Sequence, residues 1–460
     1  MAYKNFELEV KKTERIQTKY RTIVTDIPAP ESLPILEELR KYEPLSMSGQ
    51  PLVVWDRAEG YSIYDKYGNR WLDFSSGVLV ANCGHLMPKM KEALLDQINS
   101  GMIHSYCFPN EPRTKLVKKL TEVAPKNMDK AFLLTTGAEA TENAIKLAKT
   151  WGVKIGGEEK NVIVTFTGSF HGRTLGSQLA GGIPALKEWI GELDPTFVQV
   201  QFPDGYRFEN TSFSVFEETL KEKKIAPDRV CAVMVESYQG GIAGFYPEQY
   251  MKELRAWCTK HGALLIDDEV QAGFGRTGKF FAIEHYGIEP DIICCGKGMS
   301  GGLPISAVIG NSKFMNIYGP GEMTSTHSGN PLTSRASLAS IEMIESEKLV
   351  ENSRKMGEIF HRELGKIQKE HAEVIGRVQG RGLLAAMLIV KAGTKEPNHD
   401  LAFAIVEKCI QKGLMLYAPL GPGGGTVKMN PPLIITEEPL LEGISALAEA
   451  VAEARKDLSV

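Results

Sequence analysis

Residues 264–278 have the sequence LLIDDEVQAGFGRTG, an apolar strand pattern that changes abruptly into a run of carboxylates. Asp267, Asp268 and Glu269 stand side by side directly after the apolar residues. Three consecutive carboxylates repel one another and resist burial unless a positive charge compensates them. The stretch therefore predicts a buried strand whose carboxyl end faces a positively charged group.

Strand patterns and helix patterns alternate on both sides of this stretch, from about residue 130 to residue 310. The helix pattern at 137–152 repeats apolar residues at i, i+4, i+7 and i+8, and Pro247 and Gly262 mark the start and end of another. Continuous apolar strands between helices indicate an α/β fold with a mostly parallel sheet that is covered on both faces. The predicted strands are AFLLTT (131–136), NVIVTF (161–166), VCAVMVE (230–236), ALLIDDE (263–269), DIICCG (291–296) and ISAVIG (305–310).

The two ends of the chain show different patterns. The first ~70 residues predict an irregular arm, in which DIPAPESLP (26–34) is extended and YSIYDKYGNRWLDF (61–74) forms a hairpin that turns at 67–69. After about residue 340 the pattern is helical and then alternates again, with RGLLAAMLIV (381–390) as a strand. The expected parts are an N-terminal arm and hairpin over 1–75 that packs with the small domain, a large domain over 76–335, and a small α/β domain over 336–460.

Composition restricts the class of protein. The chain has 460 residues, of which 43% are hydrophobic and 24% charged, so it is long enough for more than one domain. A formal net charge of −4 argues against nucleic acid or an anionic membrane as partner. The polar N-terminus and the seven cysteines without a CxxC pair indicate a cytoplasmic protein with reduced thiols.

Ligands of open α/β sheets bind beyond the carboxyl ends of the strands, so the residues found there carry the functional signal. After AFLLTT, Gly137 and Ala138 start a helix, where backbone N–H groups can approach an anion, although a plain tight turn explains this dipeptide equally well. After DIICCG, Lys297 stands between two glycines. A lone lysine at a strand end is more often solvated. Its occurrence together with the acidic run and the loop TGSFHGRT (167–174) favours one shared site.

These strand ends supply what pyridoxal 5′-phosphate (PLP) requires. The cofactor needs a lysine for covalent attachment, a carboxylate for its pyridine nitrogen, an anion site for its phosphate and a flat partner for its ring. The positive charge that the acidic run faces would then be the protonated ring nitrogen, which keeps the ring an electron sink. We therefore expect PLP as the cofactor and no metal ion.

The acidic stretch followed by PDIICCGKGMSGGLPISAVIG (290–310) resembles the class III PLP-dependent aminotransferases, such as those for ornithine, acetylornithine, 4-aminobutyrate, β-alanine and taurine. The resemblance extends from NRWLDFSSG (69–77) to KMNPPLIIT (428–436), and the 29-residue spacing from Asp268 to Lys297 agrees with it. It implies the type I PLP-enzyme fold, in which a large, mostly parallel sheet domain is joined to a smaller α/β domain.

The resemblance also implies roles for individual residues. Lys297 would be the catalytic lysine that holds the cofactor and carries protons, and Asp268 would pair with the pyridine nitrogen. Gln271 would hydrogen-bond the ring oxygen, and Phe170 would stack on the ring. The full cofactor-binding set that it implies is Gly137, Ala138, Phe170, Asp268, Gln271, Lys297 and Thr326.

Thr326, in TSTHSGNP, matches a threonine that reaches the phosphate bound by the neighbouring subunit. Gly137 and Ala138 would bind the phosphate of their own subunit through backbone N–H groups. The resemblance therefore implies a homodimer with composite active sites, and it leaves open whether dimers pair into tetramers.

Two departures from the family pattern concern the substrate. Members that use α-keto acids commonly carry EPIQGE, whereas this chain has ESYQGG, so Gly241 replaces a glutamate that gates an arginine. Lys428, in KMNPPL, replaces that arginine, and Arg173 matches a further arginine that holds a substrate carboxylate. The departures favour an ω-amino or β-amino donor (β-alanine, taurine, a 4-aminobutyrate-like acid or a 3-aminoacyl-CoA) with 2-oxoglutarate or pyruvate as acceptor. For Lys428 the alternative is a side chain that points to solvent.

Three classes of function remain to be separated. The first is a ping-pong aminotransferase, and the second is an aminomutase, racemase or phospho-lyase on the same fold with the same cofactor motifs. The third is a protein that only senses the cofactor, against which the joint presence of Lys297, Asp268 and Thr326 argues. The remaining polar residues have structural interpretations: loop support for Asp267 and Glu269, stacking or packing for His171, and a structural or indirect role for Glu236.

Overall fold

The computed structural model describes residues 4–460, which fall into two compact units. One unit, called the small unit below, combines the N-terminal segment up to Met87 with Glu351–Val460. The other, the large unit, is Pro88–Val350 and contains the acidic run. Within the described residues, no helix is both long enough and apolar enough to cross a membrane.

The large unit is built on a mixed β-sheet. Its strands are β1 (Lys130–Leu134), β2 (Val162–Phe166), β3 (Phe197–Val200), β4 (Val230–Glu236), β5 (Leu264–Asp268), β6 (Ile292–Cys295) and β7 (Ser306–Gly310). The strand order is β1-β7-β6-β5-β4-β2-β3. The pairs are parallel except for those of β7, which runs antiparallel to β6 and to β1. This confirms the predicted mostly parallel sheet.

Helices connect these strands and bury their apolar faces against the sheet. Ala140, Ala144 and Leu147 of the helix that follows β1 are fully buried in one apolar cluster with sheet residues such as Ile163 and Ile266. The helices of the large unit are α1 (Pro88–Asn99), α2 (Glu111–Val123), α3 (Gly137–Gly156), α4 (Leu175–Ala180), α5 (Ser214–Glu222), α6 (Glu248–His261), α7 (Ser312–Met315) and α8 (Pro331–Ser346).

Local sequence explains where α3 begins and α6 ends. Thr136 caps α3 by accepting a hydrogen bond from the Glu139 N–H at 3.3 Å, while the Glu139 carboxylate accepts one from the Thr136 N–H at 2.9 Å. This reciprocal pair satisfies two backbone donors at the start of the helix. At the other helix, Gly262 has φ 62°, a left-handed conformation that glycine adopts without steric cost.

The small unit contains two sheets and is mainly helical in its C-terminal part. Trp71 is fully buried and donates its Nε1–H to the Ile410 carbonyl at 2.8 Å, which ties the N-terminal sheet to the C-terminal part of the unit. The N-terminal sheet contains Ile16–Gln17, Thr22–Ile23, Arg57–Glu59, Ser62–Tyr64, Arg70–Asp73 and Leu414–Met415. The second sheet contains Ile375–Arg381, Leu384–Ile389 and Thr426–Met429, and the main helices are Leu33–Tyr42, Leu349–Glu370, His399–Gln411 and Glu437–Asp457.

The N-terminal arm is more regular than we expected. The hairpin is confirmed, since Tyr64 pairs with Arg70 across the turn, but the extended interpretation of 26–34 is wrong beyond Ala29. A 3-10 turn occupies Pro30–Ser32 and an α-helix follows it. Proline is compatible with the first helical turn, where its missing N–H has no helical partner to lose.

The two compact units divide the chain later than the domain limits expected from the sequence, at 87/88 and 350/351 instead of 75/76 and 335/336. Helix α8 packs against α1 and α2, so it belongs with the large unit. Near the first limit, the His85 ring Nε2 lies 2.7 Å from the Asp73 carboxylate and holds the segment after residue 75 to the N-terminal sheet. Tertiary packing of this kind leaves no signal in local sequence patterns.

Candidate active site

A cavity of about 120 Å³ lies in the large unit, at the carboxyl ends of its central strands. Six residues that the sequence predicts as cofactor ligands line it: Gly137, Ala138, Phe170, Asp268, Gln271 and Lys297. Six others complete the lining: His171, Gly172, Glu236, Tyr238, Val270 and Ala272. The fold thus brings together residues that are up to 160 positions apart in the chain.

One end of the cavity is suited to an anion. Gly137 and Ala138 form the first turn of α3, where backbone N–H groups have no helical partner and the helix dipole is positive. A Cβ atom at Gly137 would lie only 2.7 Å from Val270 Cγ1, so a larger residue does not fit there. The backbone is therefore free to approach a bound phosphate closely.

Lys297 lies two residues after the last residue of β6 and lines this cavity. Its φ is 43°, a left-handed conformation that is uncommon for residues other than glycine and that often marks functional sites. Burial lowers the pKa of Lys297, although the negative charges of Asp268 and Glu236 oppose this effect. A lowered pKa increases the fraction of neutral amine, which is the nucleophilic form that attacks a carbonyl group.

The three consecutive carboxylates are separated by the alternation of side chains along β5. Asp268 faces the cavity, where its Oδ2 lies 2.8 Å from His171 Nδ1 and its Oδ1 accepts a hydrogen bond from the Val270 N–H at 3.1 Å. His171 was expected to be a stacking or packing residue, and this interpretation is incomplete because its ring pairs with a cavity carboxylate. Burial opposes protonation, but the hydrogen bond and charge of Asp268 prevail and raise the pKa of His171.

Asp267 and Glu269 lie on the opposite face of the strand and meet Ser237. The Ser237 hydroxyl lies 2.9 and 3.0 Å from the two Asp267 oxygens and 2.9 Å from Glu269 Oε1. Burial and the charge of Glu269 raise the pKa of Asp267 well above its ordinary range. Glu269 also accepts the Ile283 N–H at 2.8 Å, in keeping with the loop-supporting role that we expected.

Glu236 ends β4 beside Asp268 and belongs to the cavity lining. Its carboxylate accepts the N–H groups of Phe170 at 3.2 Å and of Gly240 at 3.0 Å, so it fixes the loop that carries the aromatic ring. Burial raises the pKa of Glu236 to about 7. A Cβ atom at Gly240 would lie 2.7 Å from Glu236 Oε1 and 2.8 Å from Gln271 Nε2, so a side chain there would displace the ends of these two side chains.

The sequence interpretation thus missed part of the lining, chiefly His171, Glu236 and Tyr238. Tyr238 donates its hydroxyl to the Gln271 carbonyl at 3.2 Å and so helps to hold that loop. A signal was available for Glu236, because it ends a predicted strand just as Asp268 does. For His171 the only signal was its position in the loop after β2, which does not show that the ring turns toward β5.

Other predicted residues lie outside the cavity lining. Arg173 is exposed, and its guanidinium carbon lies 5.8 Å from the centroid of the Phe170 ring. Thr326 lies in an exposed loop of the large unit. Lys428 belongs to the small unit, on a strand that pairs with Leu384–Ile389, and its exposure of 2% rules out the alternative that it points to solvent.

The residues of this cavity fit PLP. The start of α3 offers an anion site, Asp268 offers a carboxylate, and Lys297 offers an amine with a lowered pKa. Among the described residues, no group of three or more histidine, cysteine, aspartate or glutamate side chains is arranged to hold a metal ion. The arrangement therefore suits a flat, anionic carbonyl compound that a lysine can hold covalently.

Known proteins resemble this chain over most of its length. A family model described as aminotransferase class-III matches residues 46–451. The 5-aminovalerate aminotransferase of Pseudomonas putida is 35% identical over 88% of this chain and 94% of that protein. The leucine/methionine racemase of Thermococcus litoralis is 35% identical over 87% and 91%. The crystal structure of a Bacillus anthracis aminotransferase matches with a TM-score of 0.84 and 29% identity, covering 93% of this chain and 100% of that chain.

Proposed function

Because the chain belongs to the class III aminotransferase family, we propose that it uses PLP to move the amino group of an ω-amino or β-amino donor to a 2-oxo acid. The observation that carries this proposal is the convergence of Lys297, Asp268 and the first turn of α3 on one cavity. Each of these features supplies a different requirement of the cofactor.

The cofactor would be held by residues of the large unit. Bound PLP supplies an electron-withdrawing ring, which stabilises the negative charge that develops on a donor carbon when its proton leaves. Gly137 and Ala138 would bind the phosphate through backbone N–H groups, and Phe170 would cover one ring face. Asp268 would hold a proton on the ring nitrogen, and Gln271 would donate a hydrogen bond to the ring oxygen.

Lys297 would have two tasks, covalent attachment of the cofactor through Nζ and transfer of the proton that leaves the donor carbon. Both tasks require a neutral amine for part of the cycle. The burial that lowers the pKa of Lys297 favours this form. Glu236 would keep the Phe170 loop in place through the backbone hydrogen bond that it accepts.

The donor class follows from one relative and from two residues of this chain. The relative from Pseudomonas putida acts on 5-aminovalerate, an ω-amino acid. In this chain Gly241 has no side chain where related chains carry a gating glutamate, and Lys428 supplies a point charge instead of a planar fork. We assign Lys428 to the carboxylate of the 2-oxo acid and Arg173 to its distal acidic group, with β-alanine, taurine, 4-aminobutyrate-like acids and 3-aminoacyl-CoA as candidate donors.

A homodimer with composite sites is the second part of the proposal. Tyr106 lies next to the loop that carries Thr326, because its hydroxyl is 3.3 Å from Thr324 Oγ1. In the same segment Ile103 is 54% exposed and Phe108 is 73% exposed. Exposed apolar side chains beside a loop that would serve the neighbouring site are the features expected of a subunit interface.

A racemase is the alternative function, because the similar protein from Thermococcus litoralis is a leucine/methionine racemase. A racemase and an aminotransferase need the same ring, lysine and aspartate, so the cavity described above serves both. They differ in what the enzyme retains. An aminotransferase keeps the amino group after its first half-reaction, whereas a racemase returns the proton and releases an amino acid.

A half-reaction screen tests the proposal. The PLP-loaded protein is mixed with each donor (5-aminovalerate, 4-aminobutyrate, β-alanine, taurine or a 3-aminoacyl-CoA) without an acceptor. We expect one oxo product per site and loss of the visible absorbance of the lysine-linked cofactor, which 2-oxoglutarate or pyruvate restores. If leucine or methionine instead changes configuration without an oxo product, the racemase alternative replaces the proposal.

A further inference from the structure

The Glu142 side chain of α3 caps the start of a different helix, α4. Its Oε1 accepts the Gly176 N–H at 2.8 Å and the Ser177 N–H at 3.1 Å, the N–H groups that an N-cap side chain usually satisfies. The N-cap residue of α4 is Thr174, but its hydroxyl donates to the same Glu142 oxygen at 2.6 Å. Three donors at the junction of the loop and α4 therefore converge on one carboxylate of α3.

The glycine at position 176 allows this close approach. A Cβ atom there would collide with Glu142 Oε2, so a side chain would push the carboxylate away from the backbone of α4. The carboxylate belongs to a half-buried residue, and hydrogen bonds to a charged acceptor are stronger than those between neutral groups. Glu142 is therefore a firm link between α3 and the first turn of α4.

The same helix holds the loop on the other side of Arg173. The Thr141 hydroxyl of α3 donates to the His171 carbonyl at 2.7 Å. At the next residue, Gly172, a Cβ atom would lie 2.7 Å from the Ala138 Cβ, so the loop backbone packs closely against the first turn of α3. Arg173 thus stands between two points at which α3 holds the loop, while its own side chain is exposed.

From this geometry we propose that Glu142 is a positioning residue that fixes Arg173 relative to the start of α3 and thereby favours acceptors with a distal acidic group. The inference rests on the proposed function, which places the cofactor phosphate at the start of α3 and the distal acidic group of the 2-oxo acid on Arg173. Glu142 itself lies outside the cavity lining, so it acts through the loop.

One helix then sets the separation of the two anion-binding positions. The first turn of α3 would hold the phosphate, and the Glu142 link determines where the loop that carries Arg173 lies. Without this link Arg173 keeps its charge, but its backbone gains freedom and the guanidinium meets a distal acidic group less often. An acceptor that has no distal acidic group does not depend on this position.

A small set of variants separates the link from the general stability of the fold. Glu142→Ala removes the acceptor of all three hydrogen bonds, whereas Glu142→Gln keeps an acceptor oxygen without the charge. A double variant, Glu142→Ala with Thr174→Val, also prevents the threonine from capping α4 in place of the glutamate. Glu158→Gln is the matched control, because Glu158 is exposed just beyond the end of α3.

Hydrogen–deuterium exchange of the cofactor-free protein tests the link without any activity measurement. We expect the backbone amides of residues 172–177 to exchange at least about 10-fold faster in the double variant than in the wild type. Glu142→Ala and Glu142→Gln should have smaller effects in that order, and Glu158→Gln should have none. Wild-type exchange in both Glu142→Ala and the double variant overturns the proposal, whether or not the protein binds PLP.

The loaded enzyme tests the effect on acceptor choice. The amino form of the enzyme is mixed with 2-oxoglutarate, which has a distal carboxylate, or with pyruvate, which has none. We expect kcat/KM for 2-oxoglutarate to fall by about 10-fold or more in Glu142→Ala, while the value for pyruvate changes by less than about 2-fold. In an Arg173→Met background, Glu142→Ala should cause no further loss with 2-oxoglutarate, because the two residues act as one unit.

The outcomes distinguish this proposal from the proposed function. A wild type that binds no PLP contradicts the proposed function and leaves hydrogen exchange as the test of the link. Equal losses with both acceptors, or a full further loss in the Arg173→Met background, reduce Glu142 to a structural role and overturn the inference. A wild type that accepts pyruvate but not 2-oxoglutarate overturns it as well. If Glu142→Ala does not fold, Glu142→Gln decides both measurements.

Discussion

The burial of Glu236 has a measurable consequence for stability. Burial is the main cause that raises its pKa from 4.5 to about 7, and this difference amounts to roughly 3 kcal/mol at 1.36 kcal/mol per pKa unit. Because the pKa in the folded state lies above that in the unfolded state, the protonated form is favoured on folding. The corresponding stability is present below about pH 4.5 and is lost as the pH rises through 7.

Glu236→Gln removes this pH dependence because glutamine carries no charge. The variant also changes the hydrogen bonds that Phe170 and Gly240 donate, at a cost of about 1–3 kcal/mol that does not depend on pH. The informative quantity is therefore the change in relative stability between two pH values. Between pH 5 and pH 8 we expect Glu236→Gln to gain about 2.5 kcal/mol relative to the wild type.

Urea unfolding of the cofactor-free protein at pH 5 and pH 8 provides the measurement, with Glu92→Gln as the matched control. Glu92 is exposed on α1, so its substitution should not change the relative stability between the two pH values. If the relative stability of Glu236→Gln stays constant within about 0.5 kcal/mol, the electrostatic description of the cavity is refuted.

Three further substitutions test separate parts of the account. Asp268→Asn should retain PLP but lose on the order of 10² or more in rate, because an amide does not hold the ring proton; a loss below a few-fold would assign the ring nitrogen to another carboxylate. Lys428→Met should weaken amination by 2-oxo acids more than deamination of the donor, by ~1.5–3 kcal/mol in single-turnover kinetics; equal effects on both half-reactions contradict this role. Gly240→Ala should displace Glu236 and Gln271 and lower the affinity for PLP, as measured by equilibrium dialysis; unchanged affinity would mean that these side chains move aside without consequence.

The sequence predicted the sheet well because its strands are continuous apolar runs. The predicted strand VCAVMVE (230–236) is observed as β4 with the same limits, and all seven of its residues are buried. The strand β3, Phe197–Val200, was missed because it has four residues, lies at the sheet edge and alternates buried with half-buried positions. The antiparallel direction of β7 also left no local signal, since strand direction depends on how the chain returns to the sheet.

The site was predicted in part for a related reason. Residues at the end of a strand pattern, such as Asp268, or directly after one, such as Lys297, could be found from the sequence because strand ends meet at one edge of the sheet. The pairing of His171 with Asp268 could not be found from the sequence. The two residues are 97 positions apart, and their contact depends on the orientation of the His171 ring. The division of the acidic run between two faces follows from strand alternation and could have been derived.

Reduction of the PLP-loaded protein with borohydride tests whether Lys297 holds the cofactor, because it fixes the cofactor permanently to the amine that binds it. Proteolysis and mass spectrometry then identify the modified lysine. We expect the label on the peptide that contains Lys297 and no label in Lys297→Ala, which should remain folded but lose all turnover. A label on another lysine, or wild-type turnover in Lys297→Ala, would contradict the assignment of the cavity as the active site.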